Sequence, residues 1–135
     1  MKTITTLFLT LVTAVTLQAQ VSVIGHKATS DSPLTAAKVG AIYALEQTKW
    51  GDGAKIVVFD NSTDAKAAFY SGITKDQLSL KKIWMKKQLT GEAKAPETVG
   101  SDEDVVKKVS STPGAIGYVK SSAVTGDVKV LLELK

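Results

Sequence analysis

Two periods of apolar residues divide this chain. Short β-branched or apolar runs at Val21-Ser22-Val23-Ile24, Ile56-Val57-Val58-Phe59, Ala115-Ile116-Gly117-Tyr118-Val119 and Val128 to Leu134 predict buried strands. Between them the spacing becomes helical. Val39, Ile42 and Tyr43 mark a helix started by Ser32 or Thr35 and running to about Leu45; Ala65, Ala68, Phe69 and Ile73 mark a second. A capping-box pattern at Thr74 and Gln77 opens a third, with Leu80, Ile83 and Trp84 inward and a stop near Gly91. The fourth opens at Gly100-Ser101 and turns Val105, Val106 and Val109 to the core, its Asp102, Glu103 and Asp104 lying at the positive end of the helix dipole. Strands alternating with helices predict an α/β fold, with a mixed or mostly parallel sheet covered by helices on both faces.

Composition narrows the setting. Met1-Lys2, the Thr-rich apolar run Ile4 to Leu17 and Gln18-Ala19-Gln20 form the tripartite pattern of a secretory signal peptide. Cleavage after Ala19 makes 1–19 the signal and 20–135 a single exported domain. The run is shorter than the ~20 apolar residues of a membrane span. No cysteine occurs, which removes disulfides, zinc-thiolate sites and a cysteine-linked lipid anchor. All 17 basic residues are lysine, and the formal charge is +4. That mild basicity suits an anionic ligand, although arginine, the planar fork suited to bidentate phosphate capture, is missing.

The stretch with most chemistry is Asp60-Asn61-Ser62-Thr63-Asp64, between the second strand and its helix. First-turn amides of a helix lack intrahelical partners, Ser62 and Thr63 add hydroxyl donors, and the helix dipole favours an anion. Lys66 lies one turn on. In α/β sheets, ligands settle at the carboxyl ends of strands, where this turn falls. The same residues would equally serve as an ordinary helix cap. A calcium loop is excluded, because the sixth position is Ala65 where glycine is needed and the twelfth is Ser71 where glutamate is needed. Trp50, within Lys49-Trp50-Gly51-Asp52-Gly53, reads as a lid on the core. His26 is the single histidine and reads as a strand-end residue; with no cysteine and no nucleophile elbow, neither a metal site nor an enzyme is expected. Lys81, Lys82, Lys86 and Lys87 form a basic helix face that could meet an acidic partner or a membrane surface. No nucleic-acid motif accompanies it.

Taken in order, Ala41-Ile42-Tyr43, Lys49-Trp50-Gly51-Asp52-Gly53, Phe69-Tyr70, Trp84, Thr90-Gly91, Pro96 and Thr112-Pro113-Gly114-Ala115-Ile116-Gly117-Tyr118 resemble the second lobe of periplasmic phosphate-binding proteins of ABC transporters, especially their small single-lobe members. The resemblance spans Leu34 to Leu131. It implies one periplasmic-binding-protein-like lobe holding phosphate or a similar oxyanion without a cofactor, at Asp60, Asn61, Ser62, Thr63 and Lys66. In full-length members a Ser-Gly-Thr turn and an arginine act here; this chain has Asn61-Ser62-Thr63, no glycine and no preceding arginine. By the same resemblance Asp60 would accept a hydrogen bond from a protonated phosphate, whereas Asp64, in the first helical turn, would occupy or repel the same positive end. A lone lobe also leaves one side of its ligand in water, so a homodimer or another protein would complete the cleft. The alternative is a non-catalytic interaction or regulatory module that keeps the fold without the ligand.

Overall fold

The computed structural model describes residues 20–134, so the expected signal segment 1–19 lies outside the described residues. Five strands, β1 (Val21–His26), β2 (Val57–Asn61), β3 (Glu97–Val99), β4 (Ala115–Lys120) and β5 (Val128–Leu134), form one sheet in the order β3-β2-β4-β1-β5. β2 is parallel to both β3 and β4, whereas β1 is antiparallel to β4 and β5. The sheet is therefore mixed, as the alternating pattern predicts. β2, β3 and β4 consequently end on the same side, and each is preceded or followed by a helix that returns the chain.

Helices α1 (Ala36–Tyr43), α2 (Ala65–Gly72), α3 (Gln77–Leu89) and α4 (Asp102–Ser111) cover both faces. Along β4 the pleat sends Ile116 and Tyr118 to one face and Ala115 and Val119 to the other. The first face is the larger core, where Val39, Ile42 and Tyr43 of α1, Ala65, Phe69 and Tyr70 of α2, and Leu80 and Trp84 of α3 meet Val21, Val23, Leu131 and Leu134. The second is smaller and valine-rich, with Val105, Val106 and Val109 of α4 over Ile24, Phe59 and Val119. Gly117 permits that approach: a Cβ there would stand 2.8 Å from Val105 Cγ1.

Helix starts differ in part from the sequence expectation. Thr35 caps α1 by accepting from Lys38 N–H at 3.2 Å, and Ser101 caps α4 by accepting from Asp104 N–H. The start of α3 moves. Thr74 adopts φ 56°, which no capping-box residue does, and Asp76 is the cap, accepting from both the amide and the hydroxyl of Ser79. Of the three residues expected inside, Leu80 and Trp84 are buried but Ile83 stands 36% exposed. α1 ends at Tyr43 rather than near Leu45, because Leu45 takes a positive φ of 59°. Trp50 packs as a lid, donating its Nε1–H to Gly114 carbonyl at 3.0 Å, and His26 is the last residue of β1.

Candidate functional site

The carboxyl ends of β2, β3 and β4 and the amino ends of α2 and α4 converge at one end of the sheet. Asp60, Asn61, Ser62 and Thr63 leave β2 there in succession, and Lys66 returns from the first turn of α2. The structure brings all five together. Their side chains, however, are already engaged with the protein.

Asp60 is buried beneath the turn. Its Oδ1 accepts from Tyr70 hydroxyl at 2.8 Å and from Tyr118 hydroxyl at 2.5 Å, and its Oδ2 faces Lys66 Nζ at 3.2 Å. A buried carboxylate is tolerable only with such partners. Both tyrosines sit in an aromatic cluster with Tyr43 and Phe69, in which Phe69 and Tyr118 stack with centroids 3.7 Å apart and planes 6° from parallel. Tyr43 turns away and donates to Phe59 carbonyl at 2.8 Å. Burial first, and the charge of Asp60 beside them, push the pKa of Tyr70 and Tyr118 well above the ordinary tyrosine range; burial does the same for Tyr43. The hydroxyls of Tyr70 and Tyr118 are thus fixed as proton donors to Asp60.

Asn61 ties the turn down. Its Nδ2 donates to Tyr118 carbonyl at 2.9 Å and to Asp102 Oδ1 at 2.7 Å, while its Oδ1 accepts from Thr63 N–H at 2.9 Å. Thr63 Oγ1 donates to the same Asp102 oxygen at 3.2 Å, and Lys120 N–H reaches Asp102 Oδ2 at 3.3 Å. Ser62 gives both its amide, at 3.0 Å, and its hydroxyl, at 3.2 Å, to Val99 carbonyl. The hydroxyls of Ser62 and Thr63, expected to be free, are therefore already engaged, as are the amides of these two residues. The parallel pairing of β3 brings Val99 over Ser62, and α4 brings Asp102 over Thr63, and both accept what the turn donates.

Asp64, expected to crowd an anion, points elsewhere. It holds the N-cap position of α2 without capping it, and forms a two-oxygen ion pair with Lys120 Nζ at 2.8 and 2.9 Å. The Lys120 hydrogen bond lowers the Asp64 pKa, and the same bond raises that of Lys120. Tyr70, Tyr118 and Asp102 thus belong to the site, although their sequence patterns indicate only core and helix-dipole roles. The signal for Tyr118 was its place in a β4 run ending beside β2; for Asp102, distant in sequence, only the topology reveals it.

An open groove lined by Gln47, Lys55, Ile56, Gln88 and Ala93 lies at the amino end of β2, the opposite end of that strand from Asp60. Among the described residues, no cluster of His, Asp and Glu could hold a metal ion, and no helix is long and apolar enough to cross a membrane.

No family model matches the chain, and no curated protein matches it in sequence. Its fold does have solved counterparts. A substrate-binding protein of the phosphate ABC transporter type from Clostridium perfringens, solved with phosphate bound, superposes with a TM-score of 0.69 at 21% identity over 84% of this chain and 45% of its own. An ABC-type phosphate transport receptor from Vibrio cholerae gives 0.66 at 19% identity, over 84% and 46%. PstS from Borrelia burgdorferi gives 0.61 at 20%, over 84% and 47%. The five-stranded mixed sheet with its helices is a periplasmic-binding-protein-like lobe, and the chain spans about half the length of the structures it matches.

Proposed function

We propose that this chain is an exported, non-enzymatic solute-binding lobe that takes phosphate or a similar oxyanion at the turn from β2 into α2, with Asp60, Asn61, Ser62, Thr63 and Lys66 forming its half of a cleft. The observation that carries the reading is the convergence of these residues at the carboxyl ends of parallel strands, in the fold of a lobe whose solved counterparts include one with phosphate bound.

Its donors are recruitable at small cost. Ser62 is exposed, and if its hydroxyl rotates toward an anion, Val99 carbonyl still accepts the Ser62 amide. When Thr63 Oγ1 leaves Asp102, that carboxylate keeps Asn61 Nδ2 and Lys120 N–H. Ala65 N–H is held only loosely by Thr63 Oγ1 at 3.4 Å and points from the helix start, where an anion is favoured. Lys66 supplies charge from its place on Asp60, as a point cation without the bidentate geometry of arginine. Asp60 anchors Lys66 and the two tyrosines, so its contribution is to position the cation.

The second reading, an interaction module that keeps the lobe without a ligand, draws on the same engaged donors: every named polar side chain of the turn already has a partner inside the protein. Calorimetric titration with phosphate, after unfolding and refolding to remove carried-over ligand and with sulfate as control, separates the two. Phosphate heat that is lost in Ser62→Ala and weakened in Lys66→Ala supports binding at this turn. Absence of heat at millimolar phosphate overturns it and leaves the interaction module.

A further inference from the structure

Helix α3 is the least buried helix of the larger core. Only Leu80 and Trp84 are buried from it, Trp84 Nε1–H donating to Tyr43 carbonyl, while Lys87 reaches Leu45 carbonyl at 2.7 Å. On its opposite side, Leu78, Met85 and Leu89 stand 62%, 65% and 83% exposed. Their spacing of seven and then four residues aligns them in one stripe along the helix. Lys81 flanks this stripe on one side and Lys82 and Lys86 on the other, all three exposed, and no acidic residue occurs from Gln77 to Leu89.

We propose that this face is a docking surface for a lipid bilayer containing anionic phospholipid, with α3 lying in the plane of the headgroups. Three unbranched or γ-branched apolar side chains in a line can enter the boundary between headgroup and acyl chain, and lysines on both flanks can extend their stems to phosphates on either side. The helix, about 20 Å long at 1.5 Å per residue, lies flat along such a surface. Charge argues against a second copy as the occupant, since apposing two such faces would set lysine against lysine. It favours a broad anionic plane, which meets both flanks at once. This surface is distinct from the β2–α2 turn and does not depend on the oxyanion reading.

Vesicle co-sedimentation tests it, with the chain from Gln20 onward, whose residues form both cores, compared with the full chain so that 1–19 is not mistaken for the binding element. Vesicles of phosphatidylcholine alone and mixed with phosphatidylglycerol are the probes. Partition to the mixed vesicles, weakened by salt, is expected. Met85→Gln with Leu89→Gln should lower it roughly tenfold, and Lys81→Glu with Lys82→Glu by at least about tenfold. Near-ultraviolet circular dichroism checks that each variant keeps its fold. Failure of the shorter chain to partition onto the mixed vesicles overturns the proposal, as does equal partition to neutral ones. Binding undiminished by the Met85 and Leu89 changes overturns it too, as does capture by an acidic protein in place of the vesicles.

Discussion

Helices α2 and α3 follow one another in the chain and pack on the same face of the sheet around Tyr43, yet they treat their polar and apolar groups in opposite ways. α2 delivers Phe69 and Tyr70 into an aromatic cluster and closes its polar atoms on Asp60. α3 holds on by Leu80, Trp84 and two bonds to carbonyls at the end of α1, and leaves Leu78, Met85 and Leu89 outside. The difference separates what holds the lobe together from what is free to meet another body. A group whose partners are all inside the protein stabilises the fold, whereas an apolar side chain in water does nothing for it.

The strongest way to break that contrast is at its buried centre. Asp60→Ala leaves the Tyr70 and Tyr118 hydroxyls and the Lys66 ammonium without their common acceptor, and removal of one member of a buried pair costs about 3–5 kcal/mol. Urea denaturation should show a loss of that size. Asp60→Asn, whose carbonyl can still accept from both tyrosines while its amide faces Lys66, should cost less. If Asp60→Ala is nearly neutral, water reaches the cluster and the turn is as open as α3.

A second approach titrates the same centre without mutation. Tyr43, Tyr70 and Tyr118 are the only tyrosines, and each has its pKa raised in the folded state, first by burial. The unfolded chain loses tyrosine protons above about pH 10 while the folded chain keeps them. The stabilisation is therefore complete below that value and falls as pH rises beyond it. Tyrosinate absorbance should stay absent until the protein unfolds in alkali, and the two transitions should coincide. A rise in absorbance near pH 10 with circular dichroism intact would place a hydroxyl in water and dissolve the distinction between the two helices.

How far the sequence discloses this arrangement depends on whether a feature is local. The β2 run, the α2 start and the strand carrying Tyr118 are written in nearby residues, so the α/β class and the grouping of Asp60 to Lys66 are legible. Partners across the sheet are not. Val99 and Asp102 meet the turn only because β3 lies parallel to β2 and α4 starts beside it, and neither fact leaves a mark around Ser62. The periodicity of α3 misleads for a physical reason: Ile83 shares an apolar class with Leu80 and Trp84, but the helix rests on the core along a narrow contact, and apolar residues outside that contact stay in solvent. Thr74 fails as a cap because α2 and α3 are joined by a turn that needs a positive φ there, pushing the helix start on to Asp76.

The finest test of the comparison lies within α3 itself. Trp84→Phe keeps most of the buried ring and removes the indole N–H from Tyr43 carbonyl, leaving that carbonyl without this donor in the core; about 1–2 kcal/mol should be lost. Leu89→Gln, five residues on, exchanges an apolar side chain for a polar one where solvent already surrounds it, and should change stability by no more than about 0.5 kcal/mol. Thermal melts of the two variants beside the parent chain would resolve the pair. A cost for Leu89→Gln matching that of Trp84→Phe would mean that the outer stripe is covered in solution by something belonging to the protein itself. The expected near-silence of that substitution means instead that the apolar surface of Leu89 adds nothing to the stability of this fold until a second body removes it from water.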